Sequence, residues 1–420
     1  MKKLVVNFLL ILSVGAWVSS TILNALPHVN KALGDTLTKE QWRQDLRFLA
    51  KELPRRHKNA FHTVSRDAFE KAVADLDAAI PSLQDYEIII GMQRIVAMIG
   101  DAHTDLHLPR NFNRFPLTLY WFGDDLRVLR TTQAYRNALG AKVVKIGDTD
   151  IKDAAAKINS LVPHENDHWL RFVGANYFPY AEILNALKII PELKKANWTF
   201  EDGAGKRFML DMEAIAPDVK IEWLSTLKQV PLYRQRADEP IWFTVLPESQ
   251  TVYFNFKSYP AKETFKKISE DLLNAIDDSK SKRLVIDFRL NTGGDFNKGR
   301  ALLSELKKRA QLLNRGNLYI ITGRATQSAA MVNAIDFRKE MNAILVGEPT
   351  GGRPNGYSEN DELKLPNSQI EISYSTRLYK FQDVDSSAVM PDKLIEPSWD
   401  VYPTGRDPVM EWILAQPLGR

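Results

Sequence analysis

Cysteine is absent from this 420-residue chain. That excludes disulfides, thiolate metal sites and a cysteine nucleophile, and it removes the acylated cysteine of a bacterial lipoprotein. Histidine is scarce, at seven residues, so each is worth weighing as a base or ligand. The formal net charge of +4 comes from lysines and arginines spread along the chain, with no basic stripe to mark a nucleic-acid site. Nucleotide fingerprints are also missing: Gly347–Gly352 lacks the lysine and following hydroxyl of a phosphate-binding loop. No internal repeat or low-complexity tract stands out. With 44% hydrophobic and 26% charged residues, the chain reads as globular and long enough for two or three substructures.

The N-terminus starts Met1-Lys2-Lys3, runs apolar from Leu4 to Val18 and continues Ser19-Ser20-Thr21. This is the pattern of a secretory signal, over residues 1–25. The run is shorter than the ~20 residues of a spanning helix, but Ile22 and Leu23 extend it, so an uncleaved signal anchor is the alternative. Either way the body of the protein is expected to be exported: periplasmic, extracellular or attached to the cell envelope. Membrane contact is expected only through such an anchor.

Residues 36–110 read as a helical subdomain. Thr38 and Gln41 form a capping box ahead of Trp42, Leu46, Leu49 and Leu53, and Pro54 is expected to end that helix. A second helix follows Ser65, and a third spans about Asp85 to Ile99. The unit closes on Gly-Asp-Ala-His-Thr at 100–104, a turn that presents His103. Residues 115–162 are β-rich, with strands at Leu117–Trp121, Leu126–Leu129 and Lys142–Ile146. A connecting region, 163–240, holds a helix by period at Tyr177–Ile190 and a hairpin turning at Asp202-Gly203. The remainder, 241–420, carries the chemistry.

Within it, Leu284–Ile286, Leu318–Thr322 and Ile344–Val346 are apolar bursts too short for helices, and they read as buried strands. Helix-period segments Lys298–Leu313 and Ala329–Glu340 separate them, giving a βαβαβ layout. Arg353–Asn360 reads as a polar loop, followed by alternating strands at Glu362–Leu365 and Gln369–Thr376. Open α/β sheets bind ligands at the carboxyl ends of their strands, where Gly293-Gly294 and Ser328 both fall.

Ser328 is either a helix N-cap or a nucleophile held where the helix dipole and free amides favour a developing oxyanion. Gly293 and Gly294 are either a tight turn or a place where a backbone amide approaches a ligand closely; the Ala329 amide would be a second donor. Arg289 and Asn291 are candidate supports of that turn. A serine hydroxyl needs a base, and His103 has suitable chemistry. Zinc is the competing use of histidine. His103/His107 and His164/His168 are spaced by four, with Asp101, Asp105, Glu165 and Asp167 alongside, but neither pair has the H-E-x-x-H form.

Several motifs resemble the S41 peptidases, the C-terminal processing and tricorn-type serine proteases. They are V-I-D-F-R-L-N-T-G-G at 285–294, I-T-G-R-A-T-Q-S-A-A at 321–330, V-G-E-P-T-G-G at 346–352, M-P-D at 390–392 and I-G-D-A-H-T at 99–104. The resemblance implies an α/β (α+β) fold with a ClpP/crotonase-like spiral βαβ core, the helical subdomain, and a small β-rich insert. Residues 121–158 of that insert resemble part of a PDZ domain, although a plain glycine-turn hairpin explains them equally. The implied activity is peptide-bond cleavage without cofactor or metal, on a peptide or protein substrate; the resemblance sets no oligomeric state.

Carried over, Ser328 matches the nucleophile, Gly294 or Gly293 the oxyanion glycine, and Ala329 the second donor. The processing branch places a lysine base where this chain has Arg353, which stays protonated and cannot serve. The tricorn-type branch uses a histidine, matched by His103, but its second serine is replaced by Ala102. The acid that orients the histidine is matched loosely by Asp385, with Glu359 as rival. The expected function is therefore an exported serine peptidase with His103 as base and Arg353 as a substrate contact; the alternative is a non-catalytic binder on the same scaffold.

Overall fold

The computed structural model describes residues 37–419. The expected signal or anchor at 1–25 lies outside the described residues. Among those described, no helix is long and apolar enough to cross a membrane.

Thr38 caps α1 (Lys39–Arg56) in the reciprocal box with Gln41. Pro54 does not end this helix. It sits in the last turn, where it forfeits a single hydrogen bond, and the helix continues until the His57 amide closes on the Leu53 carbonyl at 2.9 Å. Two further helices, α2 (Arg66–Ala79) and α3 (Asp85–Ala97), bury Phe69, Leu76, Ile89 and Ile95 against α1. The chain then turns through Asp101–Thr104 into β1 (Asp105–Leu106).

The β-rich segment is larger than its sequence pattern suggests. Strands β2 (Thr118–Phe122), β3 (Asp125–Thr131) and β4 (Lys142–Ile146) are joined by β5 (Lys195–Glu201) and β6 (Arg207–Glu213) in the order β2-β3-β4-β5-β6. Three helices, α4 (Ile151–Asn159), α5 (Asp167–Tyr177) and α6 (Ala181–Ala186), connect β4 to β5. The expected single helix at 177–190 is broken: Pro179 has no amide to donate, so α5 stops and α6 starts afresh.

The βαβαβ layout holds. After β7 (Ile241–Leu246) come β8 (Thr251–Phe256), α7 (Lys262–Asp278), β9 (Arg283–Asp287), α8 (Phe296–Leu306), α9 (Ala310–Leu313), β10 (Leu318–Thr322), α10 (Ala329–Met341) and β11 (Ile344–Gly347). The strand order is β11-β10-β9-β8-β7, parallel except for β7, and Lys393–Leu394 extends the sheet beside β11. All of β8, β9 and β10 is buried, as two-sided helix and loop cover requires of such uniformly apolar strands. The expected helix at 298–313 divides into α8 and α9 around residues 307–309.

The stretch 353–360 is not a loop. Most of it forms the start of β12 (Asn355–Lys364), paired antiparallel with β13 (Glu371–Lys380). From Ser358 to Glu362 its side chains are polar on both faces, so this part lacks the alternation by which strands are recognised. At its other end the hairpin crosses to the helical opening. There β13 pairs with β1, Asp105 facing Ser373, and Leu363, Ile370, Ile372 and Tyr374 share a core with Trp42, Leu46 and Ile95. The hairpin thus ties the parallel sheet to the turn that carries His103.

Candidate active site

The loop from β10 to α10 is fixed from within. Thr326 Oγ1 accepts from the Gly323 amide and donates to the Phe288 carbonyl, both at 2.9 Å, and the Gln327 amide donates to the Asn291 carbonyl at 3.1 Å. Ser328 is thereby held at φ +51°, ψ −126°. A side-chain-bearing residue in such backbone costs about 1–3 kcal/mol and persists only where its surroundings dictate it. The half-buried hydroxyl makes no capping bond to α10, so the N-cap alternative is not the role this serine plays.

Gly293 and Gly294 lie against this loop with φ of +119° and +148°. A Cβ on Gly293 would stand 2.6 Å from Ser328 Cβ, and one on Gly294 would stand 2.7 Å from the Tyr259 ring. Glycine is required at both positions, by conformation and by space. Asn291 holds the turn: Nδ2 donates to the Phe256 carbonyl at 2.8 Å, and Oδ1 accepts the Gly293 amide at 2.9 Å. The Gly293 amide is thereby engaged. Among the described residues, the Gly294 and Ala329 amides make no hydrogen bond. Arg289 supports the strand end from below, bridging Asp287 and Asp407 at 2.9 Å each.

His103 enters from the helical opening. Its backbone amide donates to Asp101 Oδ1 at 2.9 Å, and its carbonyl accepts from Ser373 Oγ at 3.0 Å. Both ring nitrogens are buried and have no hydrogen-bond partner. Burial pushes the imidazole below its ordinary pKa, the Asp101 charge and the Tyr357 backbone opposing this only in part. The ring is therefore neutral near pH 7, the state a general base needs. His103, Thr292 and Gln327 line one cavity of about 320 Å³. Thr292 precedes Gly293 and Gln327 precedes Ser328, so His103 shares this cavity with the immediate neighbours of the glycine turn and of the serine. The rest of its wall includes Phe112, Trp169, Val173 and Tyr177.

His57, which the sequence did not mark, and Asp101, weighed there only beside the zinc histidines, support this turn. His57 Nε2 lies 2.7 Å from Asp101 Oδ2, with both side chains fully buried. The Asn59 amide donates to His57 Nδ1, so Nε2 carries the proton and donates to the carboxylate. Thr104 and Ser375 supply two more donors. Burial alone would raise the Asp101 carboxyl; contacts with His57, His103 and Thr104 hold it below its ordinary range.

The two acids expected to orient His103 lie elsewhere. Asp385 is exposed and ion-paired with Arg353, and Glu359 is exposed and engaged by Tyr379 and Arg377. Neither accepts from a His103 ring nitrogen. The histidine pairs weighed for zinc do not assemble among the described residues. The groups that do converge are Asp101, His103 and Glu165, one side-chain ligand atom of each lying within 4.8 Å of the others.

No family model and no curated protein matches the sequence. Solved structures do. Mature CPAF complexed with lactacystin superposes at TM-score 0.62 and 11% identity, covering 90% of this chain and 97% of that one. Mature CPAF alone gives 0.60 and 11%, over 90% and 96%. The fold is S41 peptidase-like. The photosystem II D1 C-terminal processing protease lies further off, at TM-score 0.40 and 15% identity over 89% of this chain and 98% of that one. At these identities the likeness is one of fold, and the chemistry rests on the site itself.

Proposed function

We propose that this chain is an exported serine peptidase acting through an acyl-enzyme on Ser328. The observation that carries the proposal is the strained backbone of Ser328, whose hydroxyl does not cap its own helix and which packs against the Gly293-Gly294 turn. In the first step His103 takes the Ser328 proton as Oγ bonds to the substrate carbonyl carbon. The carbonyl oxygen becomes an oxyanion facing the Gly294 and Ala329 amides. Collapse breaks the C–N bond, and His103 returns its proton to the leaving amine. Water activated by the same imidazole then releases the acid. The substrate is a peptide or protein, and the largely apolar cavity beside His103 favours a hydrophobic residue next to the cleaved bond.

Export rests on the basic-then-apolar pattern of the first residues and is tested by fractionation with N-terminal sequencing. The hydrolase is tested with a fluorophosphonate probe. Labelling of the wild type and not of Ser328→Ala supports it; failure to label under any condition favours a binding protein on the same scaffold.

A further inference from the structure

Glu165 is an acid beside His103 with an uncommitted oxygen. Its Oε2 is buried without a hydrogen-bond partner, and so are both His103 ring nitrogens. The two side chains bring ligand atoms within 4.8 Å of each other and of Asp101. Asp101 is otherwise occupied: Oδ1 accepts from the His103 amide and Ser375 Oγ, Oδ2 from His57 and Thr104. Those four donors saturate its lone pairs. A cation here would find only two free ligands, fewer than the three or four of a zinc site. Two orphaned, complementary groups remain, an imidazole and a carboxyl.

The position of Glu165 is also fixed relative to the nucleophile. The next residue, Asn166, caps α5 and sends its Nδ2 to the Thr350, Gly351 and Ser387 carbonyls at 3.3, 3.1 and 2.7 Å. The Gly351 and Gly352 amides in turn donate to the Thr326 carbonyl, two residues before Ser328. One backbone network therefore holds both the acid and the serine loop.

Resting on the serine-peptidase reading, we propose that Glu165 is the positioning residue that orients His103, in place of the acid expected near the end of the chain. An ionised Glu165 accepts the proton on one ring nitrogen and leaves the other free to take the Ser328 proton. A protonated Glu165 donates to the imidazole instead and removes the free lone pair. The groups facing it are Asp101 and His103 on the turn after α3 and Arg353 on the loop after β11. Burial and the Asp101 charge push the Glu165 carboxyl up to about 8, with the Ala102 amide and Arg353 pulling it back in part.

The test compares Glu165→Gln and Glu165→Asp with the full wild-type chain, using a chromogenic peptide, the fluorophosphonate probe and NMR of the His103 ring nitrogens. In the wild type the acidic limb of kcat/KM should lie near pH 8. Glu165→Gln should lower kcat roughly 10- to 1000-fold with KM little changed. Its acidic limb should move below pH 6.5, the ordinary histidine value, and Glu165→Asp should recover part of the rate. Unchanged kcat and limb in Glu165→Gln overturn the pairing while leaving the peptidase intact. If Ser328 in the wild type never reacts, the peptidase reading falls, and NMR decides the pairing: altered His103 shifts in Glu165→Gln support it, unaltered shifts overturn it. A stoichiometric metal lost from Glu165→Gln would also overturn it.

Discussion

His57 donates to Asp101 across 2.7 Å with no solvent on either side. This contact joins the end of α1 to the turn that presents His103, two residues beyond Asp101. Removing the donor leaves a buried carboxylate short of one partner, which costs about 2–4 kcal/mol. His57→Ala should lower unfolding stability by that amount in urea, and His57→Gln should recover much of it through its amide. The pH dependence has a definite sign. The folded pKa of Asp101 is depressed, so its contribution is present above the ordinary value of 3.8 and is lost as pH falls through the folded value. Wild-type protein should therefore lose more stability on acidification through this window than His57→Ala does.

The contact between Gly293 and Ser328 is equally unforgiving. Gly293→Ala brings a methyl group to 2.6 Å from Ser328 Cβ at a φ of +119°, so one of the two backbones must move. The expected result is a fall in kcat of roughly 100-fold or more, the size of effect seen when an oxyanion donor is misplaced. Fluorophosphonate labelling should slow in parallel. Normal labelling with reduced turnover would mean that the glycine serves only the substrate.

The three buried strands and the glycine and serine at their ends were legible in the sequence because uniformly apolar bursts between turns have few alternative structures. His103 was legible because a glycine-ended helix delivers it to a turn. The β12–β13 hairpin was legible only in part: 362–365 and 369–376 alternate as strands do, but from Ser358 to Glu362 the chain is polar on both faces and is held by strand pairing. Glu165 was hidden for a related reason. Sequence placed it beside His164 and Asp167 as one of several polar neighbours, whereas its burial arises from α5 packing beside the 350–353 loop. Asn166, which makes that link, resembles any other helix cap. The break at Pro179 could have been read directly from the missing amide.

Arg353 and Asp385 form a partly exposed ion pair. Exposed pairs contribute little because water screens them, so neither Arg353→Ala nor Asp385→Asn should measurably change unfolding stability. Their kinetic effects should differ. Asp385→Asn should keep kcat within a few-fold of wild type, because no His103 nitrogen reaches it. Arg353→Ala should raise KM for peptides with a free carboxylate, since arginine favours such a partner, and should leave amidated analogues less affected. Loss of kcat in Asp385→Asn would return the orienting role to that residue.

His103→Ala should separate chemistry from folding more cleanly than any other variant. No side chain hydrogen-bonds either ring nitrogen in this structure, and the Tyr357 backbone is the contact that bears on the ring. The stability change should therefore be modest, coming from lost packing of the ring and of its contacts with Tyr357 and Glu165. Turnover should fall by about 100- to 10,000-fold, the range expected for loss of a general base. The pH signs agree with this assignment. Burial depresses the folded pKa of His103, so the unfolded chain binds the extra proton first, and stability declines as pH falls below 6.5. His103→Ala should lose that part of the acid sensitivity while the Asp101 part at lower pH persists. Denaturant midpoints measured from pH 7 down to about pH 2 distinguish the two contributions. A variant that kept full turnover would remove the histidine from the mechanism and leave Ser328 without a base.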